Sequence, residues 1–370
     1  MLSNLIRMAL RLFTINRWNT TPHIELMTEA SNCGFSLHVA LLVAFESGEQ
    51  VNYETLIKRM VLKDLPKAIL SDISLQTKNY IKDTSLDLWT KTFKSAMEEV
   101  LREVPEEWHS DFRGFIEQAK DDSIEGLIVD FSDTYAAYSE CEINARVYPE
   151  YYDKPLAELR DKLDAYKSHD FIQTILESTA YKCYLLRVRT LINAVRWNQT
   201  NRNIKTTVAG HTFFVTFIST LLSYIMKTLR SGSGGCSELL LKSAYHDVPE
   251  ALTGDIISPT KRRIPGFEET ITKVEEQMVE KDLLSLLKMD GNDRVKNYML
   301  HPFEGPSGKL VKAADLLGSL FECQMEMMSG NANQLFKKAY RDIHFEIKTM
   351  DLKEVDYLLK WGVDSEYAQF

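Results

Sequence analysis

The sequence predicts an all-α fold made of two homologous helical domains in tandem, and three observations support this prediction. Apolar residues recur with the period of an amphipathic helix along most of the 370 residues, whereas strand signals are scarce. Short segments of the first half reappear in the second half in the same order. The length is comfortable for two domains and long for one.

Two helices show the apolar periodicity most directly. Residues 1–13 are apolar but carry two arginines, which indicates an amphipathic helix better than a signal peptide. A long helix follows His211, where apolar residues recur at spacings of three and four and therefore share one face. Its longest apolar run, residues 213–226, is interrupted by Thr and Ser and is too short to span a bilayer.

Further helices are predicted downstream. Residues 231–235 are rich in glycine and serine and form a flexible loop. Ser237 is predicted as the N-cap of a helix that runs to His246. Residues 267–288 have the pattern of a charged amphipathic helix, and residues 309–328 that of a helix with an apolar inner face.

The two halves match at four anchors. Arg17-Trp18-Asn19 recurs as Arg196-Trp197-Asn198, and each copy follows an amphipathic helix. The remaining anchors pair Asn32 with His211, residues 62–72 with 245–255, and Asp133 and Glu140-Cys141 with Asp315 and Glu322-Cys323. We therefore expect two homologous domains, at residues 1–178 and 179–370.

The two copies differ in chemistry. Where the second has His211, His246 and Glu250, the first has Asn32, Lys63 and Lys67. The two lysines put positive charge where a cation would otherwise bind. The first domain is therefore predicted to be a degenerate copy without metal ligands, although it keeps Arg17, Trp18, Asp72 and Asp133.

Four residues of the second domain are candidate metal ligands. Taken alone, His211 could be an ordinary capping or core histidine, as lone histidines commonly are. The His246-Asp247 pair, taken alone, could be equally ordinary. Asp315 lies in an apolar helical segment, where a buried carboxylate is costly unless it is paired or bound to a metal. Imidazoles and carboxylates together favour divalent transition metals. Hence His211, His246, Asp247 and Asp315 are predicted to bind one ion.

Two acidic residues close to this set are candidate catalytic groups. Glu250 lies one helical turn after Asp247, where it could orient or deprotonate an attacking water. The alternative is a solvated carboxylate at a helix end. Asp255 could contact a sugar hydroxyl or position Arg196, and its alternative role is to cap a turn.

Three further residues are candidate substrate ligands. Arg196 could bind phosphate in a bidentate manner, and Trp197 could supply a platform for a nucleoside, although tryptophans more often belong to the core. Lys261, in a Ser-Pro-Thr-Lys segment, could contact phosphate or lie simply on the surface.

Composition limits the remaining possibilities. The formal net charge of −9 argues against a nucleic-acid partner but leaves room for a local pocket that binds a small anion. The five cysteines are far apart and odd in number, which is typical of free thiols in a reducing compartment. We therefore expect a cytoplasmic protein with no membrane segment.

The second domain resembles the YfbR-type 5′-deoxynucleotidases of the HD superfamily. The resemblance depends on Arg196-Trp197, on the block from His246 to Asp255, on Pro-Thr-Lys261, and on Leu-Val-Lys-x-Ala before Asp315. Residues 208–210 depart from the family, which usually has a Ser-Glu pair before the first ligand histidine. The first domain resembles a degenerate form of the same HD fold.

The resemblance implies a function and a set of roles. The family removes the 5′-phosphate from deoxyribonucleoside monophosphates with one divalent metal, for which Co²⁺, Mn²⁺, Mg²⁺, Zn²⁺ and Fe²⁺ are candidates here. It also implies that Glu250 is the catalytic carboxylate, that Arg196 binds phosphate and that Trp197 crowds the 2′ position of the sugar. Asp255 would then lie near the 3′-hydroxyl or the phosphate.

Family members are homodimers, so the duplicated chain is expected to form a pseudo-dimer by itself, with further oligomerisation possible. Two alternative functions remain at this point. The first is a deoxynucleoside triphosphohydrolase, and the second is a nucleotide-sensing regulatory module in which the first domain binds without cleaving.

Overall fold

The computed structural model describes residues 2–48, 50–230, 235–256, 258–261, 263–287 and 292–362. Within these residues the chain is helical and has no strand, apart from two isolated bridges, Asn16 with Thr28 and Val195 with Thr207. The predicted all-α class is therefore confirmed. The predicted loop at 231–235 lies largely outside the described residues.

Nine α-helices form the described part of the first half. They are α1 (Leu2–Arg11), α2 (Glu29–Glu46), α3 (Tyr53–Leu62), α4 (Lys67–Leu70), α5 (Leu75–Leu101), α6 (His109–Glu117), α7 (Ile124–Ala145), α8 (Pro149–Ala165) and α9 (Asp170–Glu177). Short 3-10 turns cover Glu106–Trp108 and Tyr166–Ser168. Side chains cap several of the helices, because Thr28, Asn52, Ser74 and Ser123 accept hydrogen bonds from backbone N–H groups in the first turn.

The described part of the second half contains ten α-helices in a corresponding order. They are α10 (Thr179–Arg189), α11 (Val208–Arg230), α12 (Ser237–Tyr245), α13 (Glu250–Thr253), α14 (Ser258–Lys261), α15 (Phe267–Asp282), α16 (Asn292–Leu300), α17 (Gly305–Met328), α18 (Gln334–Thr349) and α19 (Lys353–Gly362). Two 3-10 turns cover Thr190–Ile192 and Leu284–Leu286.

Two predicted boundaries are wrong. The N-cap of α12 is Cys236 rather than Ser237, and its backbone N–H donates to the Glu54 carboxylate of the first half at 3.0 Å. The helix expected over residues 267–288 ends at Asp282, because a 3-10 turn buries Leu283 and Leu284 against the core. Periodicity alone did not reveal the start of α12 or the end of α15.

The first helix of each half packs on the other half. Helix α1 contacts α11 and α19, and the corresponding α10 contacts α2 and α9. Each also contacts a short helix of its own half, α4 for α1 and α13 for α10. This reciprocal exchange is what an intrachain pseudo-dimer requires, so the predicted arrangement is confirmed.

Polar contacts reinforce the exchange. Arg189, at the end of α10, donates to both carboxylate oxygens of Glu25 in the first half. Asn193 also donates to Glu25, at 3.0 Å, and the side chains of Arg189 and Glu25 are both less than a tenth exposed. The chain segment that leads from α10 to Arg196 is therefore anchored on the first half.

The interface centres on the crossing of α2 and α11. Ser31 and Thr207 share a hydrogen bond of 2.8 Å between hydroxyls, and Phe13 packs edge-on against Phe214 with ring centroids 5.9 Å apart. Residues Val208–Leu229 are long and apolar enough to cross a membrane, yet the 18-residue window of highest apolarity within them is entirely buried. Its hydrophobicity reflects burial between the halves.

The boundary between domains, at residues 178 and 179, stays a proposal. Ser178 accepts a hydrogen bond from the backbone N–H of Tyr181 and so caps α10, which makes it a natural start for the second half. The apolar core does not divide there, because each of the two large clusters of buried side chains contains residues from both halves.

We predict that Gly34→Ala destabilises the protein by about 1–3 kcal/mol, as overpacking of a core typically does. A Cβ at Gly34 would lie 1.9 Å from the carbonyl oxygen of Ala209, so the backbones of α2 and α11 would have to separate. The measurement is the free energy of unfolding in denaturant.

The matched control is Gly114→Ala, in helix α6, where an added Cβ meets nothing within 4 Å. This control should be neutral or slightly stabilising, because alanine is the better helix former. Equal effects of the two substitutions would contradict the close crossing of α2 and α11.

Candidate metal centre

Three helices bring the predicted metal ligands together. His211 lies in the first turn of α11, His246 and Asp247 directly follow α12, and Asp315 lies in the middle of α17. One ligand atom from each of His211, His246 and Asp247 lies within 4.8 Å of the others. Among the described residues this is the only group of three such side chains with that spacing.

The available atoms fit a cation. His246 Nδ1 donates to the carbonyl oxygen of Ser243 at 2.8 Å, which leaves Nε2 unprotonated when the ring is neutral. His246 Nε2 and Asp247 Oδ2 are both buried and have no hydrogen-bond partner among the described residues, although they lie 3.2 Å apart. Buried polar atoms without partners are costly, and a shared divalent ion would satisfy both.

Asp315 joins the group through His211. Its Oδ1 accepts from His211 Nε2 at 3.1 Å, and its Oδ2 accepts from Lys312 at 2.9 Å. An ion bound to His211 Nε2 would take the place of the proton that this nitrogen now donates to Asp315 Oδ1. Asp315 is therefore placed beside the cluster of three and can complete it.

Electrostatics keep the acidic ligands ionised. Burial alone would raise the pKa of Asp247, but His246, His211 and Arg196 outweigh it and lower this pKa to about 2. Burial likewise opposes ionisation of Asp315, and Lys312 and His211 bring its pKa well below the usual value. Both carboxylates are thus charged at neutral pH and suited to bind a cation.

The pKa of His211 is shifted upward, whereas those of Asp247 and Asp315 are shifted downward. Burial and Arg196 lower the pKa of His211, but the carboxylates of Glu322 and Asp315 outweigh them and raise it to about 9. Without metal, His211 is therefore protonated on both nitrogens at neutral pH. Metal binding must release the Nε2 proton, which makes the affinity dependent on pH.

Glu250 and Asp255 lie close enough to the cluster to interact electrostatically with Asp247 and Arg196. Glu250 begins α13, and burial together with the negative charges of Asp247 and Asp255 raises its pKa well above the usual value. Its Oε2 is buried and has no hydrogen-bond partner among the described residues. The pKa of Asp255 is raised too, mainly by burial. Carboxyl groups with raised pKa values in such a cluster are candidates for proton transfer.

Arg196 lies against the cluster. Its Nη1 is 3.6 Å from Asp247 Oδ2, its Nε is 3.4 Å from Glu322 Oε2, and its Nη2 donates to Ser319 Oγ at 3.1 Å. The neighbouring Trp197 packs on Phe336 with ring centroids 5.6 Å apart. It has φ 57°, a value that a bulky residue adopts only when its surroundings enforce it.

Lys261 is not joined to the metal ligands. Its ammonium is 3.5 Å from Glu275 on α15, and its positive charge acts on Glu250 only at longer range. The structure therefore brings together eight of the nine predicted site residues around one centre and leaves Lys261 at the edge.

Glu322 is a further candidate for the site, although the sequence pattern alone did not indicate a role for it. Its carboxylate is fully buried and accepts from His211 Nδ1 at 2.8 Å and from Trp197 Nε1 at 2.7 Å. It also lies beside Arg196 and thus joins a metal ligand to both predicted substrate ligands. The signal was available, because Glu322 is an anchor of the duplication two helical turns after Asp315 on α17.

The first half fills the equivalent centre with its own cation. Lys63 Nζ lies 2.9 Å from Asp133 Oδ1 and also contacts Asp64, the counterparts of Asp315 and Asp247. Lys67 Nζ, at the position of Glu250, is 2.9 Å from Asp64 and 2.8 Å from Glu29. The carboxylates that would hold an ion are thus neutralised, in agreement with a degenerate domain.

Comparison with known proteins gives one family for both halves. A model of the YfbR-like 5′-deoxynucleotidase family matches residues 4–179 and again residues 183–365. The expected resemblance, its repeat along the chain and the HD fold are thereby confirmed.

Individual relatives have low sequence identity to this chain. A 5′-deoxynucleotidase of Photorhabdus temperata is 29% identical over 162 residues, which are 43% of this chain and 80% of that protein. One of Photobacterium profundum is 25% identical over 51% of this chain and 95% of its own length. A solved HD-domain phosphohydrolase from Listeria innocua, at 21% identity, covers 50% of this chain and 91% of its own, with a TM-score of 0.43.

We predict that Glu322→Gln weakens metal binding by about 10–100-fold, the usual effect of removing a partner that orients a ligand histidine. The amide keeps the size of the side chain but loses the charge that holds His211, Arg196 and Trp197. The measurement is titration of the metal-free protein with Co²⁺, followed by calorimetry or by the visible spectrum of the ion.

Glu140→Gln is the matched control, because Glu140 occupies the same position in the first half. It binds Arg17 and Trp18, but Asn32 replaces the metal-ligating histidine there. The control should bind Co²⁺ like the unaltered protein. Equal affinity of the two variants would show that Glu322 does not act on the metal centre.

Proposed function

The chain belongs to the YfbR-like 5′-deoxynucleotidase family of HD phosphohydrolases, and we propose that it removes the 5′-phosphate from deoxyribonucleoside monophosphates. The observation that carries this proposal is the position of Arg196 and Glu250 beside the His211, His246 and Asp247 cluster. A phosphate ester needs both a cationic ligand and a group that accepts a proton from water.

His211, His246, Asp247 and Asp315 would hold one divalent ion. When bound, the ion supplies Lewis acidity, which polarises a phosphate oxygen and lowers the pKa of water at the site. The donor set of two imidazoles and two carboxylates is compatible with Co²⁺, Mn²⁺, Zn²⁺ or Fe²⁺, and less so with Mg²⁺, which prefers oxygen ligands.

In the proposed reaction, Arg196 and Glu250 have separate roles. Arg196 binds the phosphate and stabilises the negative charge that accumulates on its oxygens. Glu250 accepts the proton that the attacking water loses as the new P–O bond forms. The P–O bond to the 5′-oxygen then breaks, and this oxygen takes up a proton from solvent and leaves as the hydroxyl group of the deoxynucleoside. Inorganic phosphate is the second product, and Glu250 returns its proton to solvent.

Three residues would select the substrate. Trp197, fixed by Phe336 and by its bond to Glu322, would crowd the 2′ position of the sugar and so favour deoxyribose. Asp255 would accept a hydrogen bond from the 3′-hydroxyl. Lys261 would support the phosphate from α14, at the edge of the site.

The first half would act as a permanent partner subunit for this site. Helix α10, which leads to Arg196, packs on α2 and α9, and the Arg189–Glu25 ion pair holds its end. The catalytic half therefore depends on the degenerate half for the position of its phosphate ligand. Location in the cytoplasm remains a prediction from the scattered free cysteines.

We predict metal-dependent phosphate release from deoxyribonucleoside monophosphates, reduced to background by Asp247→Ala. Glu250→Gln should lower kcat by about 10²–10⁴-fold while the protein still binds metal, because only proton transfer is lost. The assay follows phosphate release with Co²⁺, Mn²⁺ or Mg²⁺ and also includes ribonucleotides and deoxynucleoside triphosphates.

His344→Gln is the control, since this histidine of the second half stacks on Tyr340 on α18 and has no contact with the metal ligands among the described residues. It should leave the activity unchanged. Full activity of Asp247→Ala would contradict the proposal. Release of tripolyphosphate from triphosphates, with none of the monophosphates cleaved, would instead identify a triphosphohydrolase.

A further inference from the structure

The degenerate centre of the first half has lost its metal ligands but retains the cationic side chains that correspond to the predicted phosphate ligands. Arg17 corresponds to Arg196, and Lys78, in a Thr-Lys pair near the start of α5, corresponds to Lys261. Trp18 even keeps the unusual backbone of Trp197, with φ 51° against 57°. The loop that presents the arginine therefore has the same conformation in both halves.

The number of positive charges is also preserved. The centre of the second half has three basic side chains, with Arg196 and Lys312 beside the ligands and Lys261 at the edge, and a divalent ion would add two charges. In the first half five basic side chains surround the equivalent centre: Arg17, Lys63, Lys67, Lys78 and Lys120. The two additional charges come from Lys63 and Lys67, so an anion meets the same total positive charge without a metal.

Two of these cations have unused donors. The Lys78 ammonium makes no hydrogen bond or ion pair among the described residues, although it is partly buried and lies near Lys67. Arg17 uses Nε and Nη1 on Glu140 and Glu29, but its Nη2 has no partner in the described chain. In the second half the equivalent Nη2 binds Ser319, whose counterpart is Ala137.

A partly buried cation that is repelled by its neighbour is unfavourable unless an anion compensates it. Burial, followed by the charge of Lys67, lowers the pKa of Lys78, and the carboxylates of Glu29, Asp72 and Asp64 offset only part of this shift. A phosphate group offers several oxygen acceptors and two negative charges, which match the free donors of Arg17 and Lys78 together with Lys67.

We propose that the first half holds a metal-independent binding site for a phosphate monoester dianion, with Arg17, Lys67 and Lys78 as its ligands. The site binds without hydrolysis, because Lys67 replaces the carboxylate that would accept a proton from water and Lys63 replaces a metal ligand. A nucleoside monophosphate and free inorganic phosphate share this chemistry, and the test separates them.

The experiment titrates the full chain in the presence of a chelator, so that no turnover takes place and its outcome does not depend on the hydrolysis proposed above. The probes are deoxythymidine monophosphate and inorganic phosphate, with thymidine as the control without phosphate. Isothermal calorimetry gives the affinity and the number of molecules bound per chain.

We expect one molecule of the monophosphate per chain, with affinity reduced about tenfold or more by Lys78→Ala, the effect of losing one charge-assisted contact. Lys261→Ala, at the same position of the second half, should retain the affinity of the unaltered protein for the monophosphate. Lys78→Glu serves as a second variant, since its reversed charge should abolish binding, and thermal unfolding verifies that each variant is folded.

Preferential binding of deoxythymidine monophosphate over phosphate would support a nucleotide as the ligand, and equal binding would support phosphate itself. The absence of binding to the chelated protein, or equal binding by the Lys78 and Lys261 variants, would overturn the proposal.

Discussion

The hydrogen bonds of the buried Glu322 carboxylate are the interaction on which the geometry of the candidate metal centre depends. This carboxylate accepts hydrogen bonds from His211 and Trp197 and neutralises Arg196, so that one side chain orients a metal ligand and both predicted substrate ligands. Such a charge is stable inside α17 only because these donors surround it. In the first half Glu140 keeps the contacts to Arg17 and Trp18, but Asn32 leaves it no imidazole to orient.

The interface between the halves fixes the remaining geometry. Arg196 comes from the segment after α10, and this helix packs on the first half, whereas His211 starts the interface helix α11 itself. A substitution that separates α2 from α11 would therefore move a metal ligand and the phosphate ligand together. This dependence gives a physical reason for the chain to keep a first half in which Lys63 occupies the place of a metal ion.

Much of the fold and of the candidate site could be predicted from the sequence, and the exceptions have identifiable causes. The duplication, the helical class and the grouping of His211, His246 and Asp247 depend on spacing and periodicity, which are local properties of a sequence. Glu322 was missed because a glutamate in a helix usually faces solvent, and only tertiary packing shows its burial. The free donors of Lys78 were likewise invisible, since a pairing is a property of the fold.

The central claim is that the chain binds one metal ion, in the second half only. The most direct measurement is anomalous diffraction from crystals of the full chain soaked with Mn²⁺ or Co²⁺. The account predicts one anomalous peak per chain, coordinated by His211, His246, Asp247 and Asp315. A peak between Asp64 and Asp133, where Lys63 now lies, or no peak at His211, would contradict it.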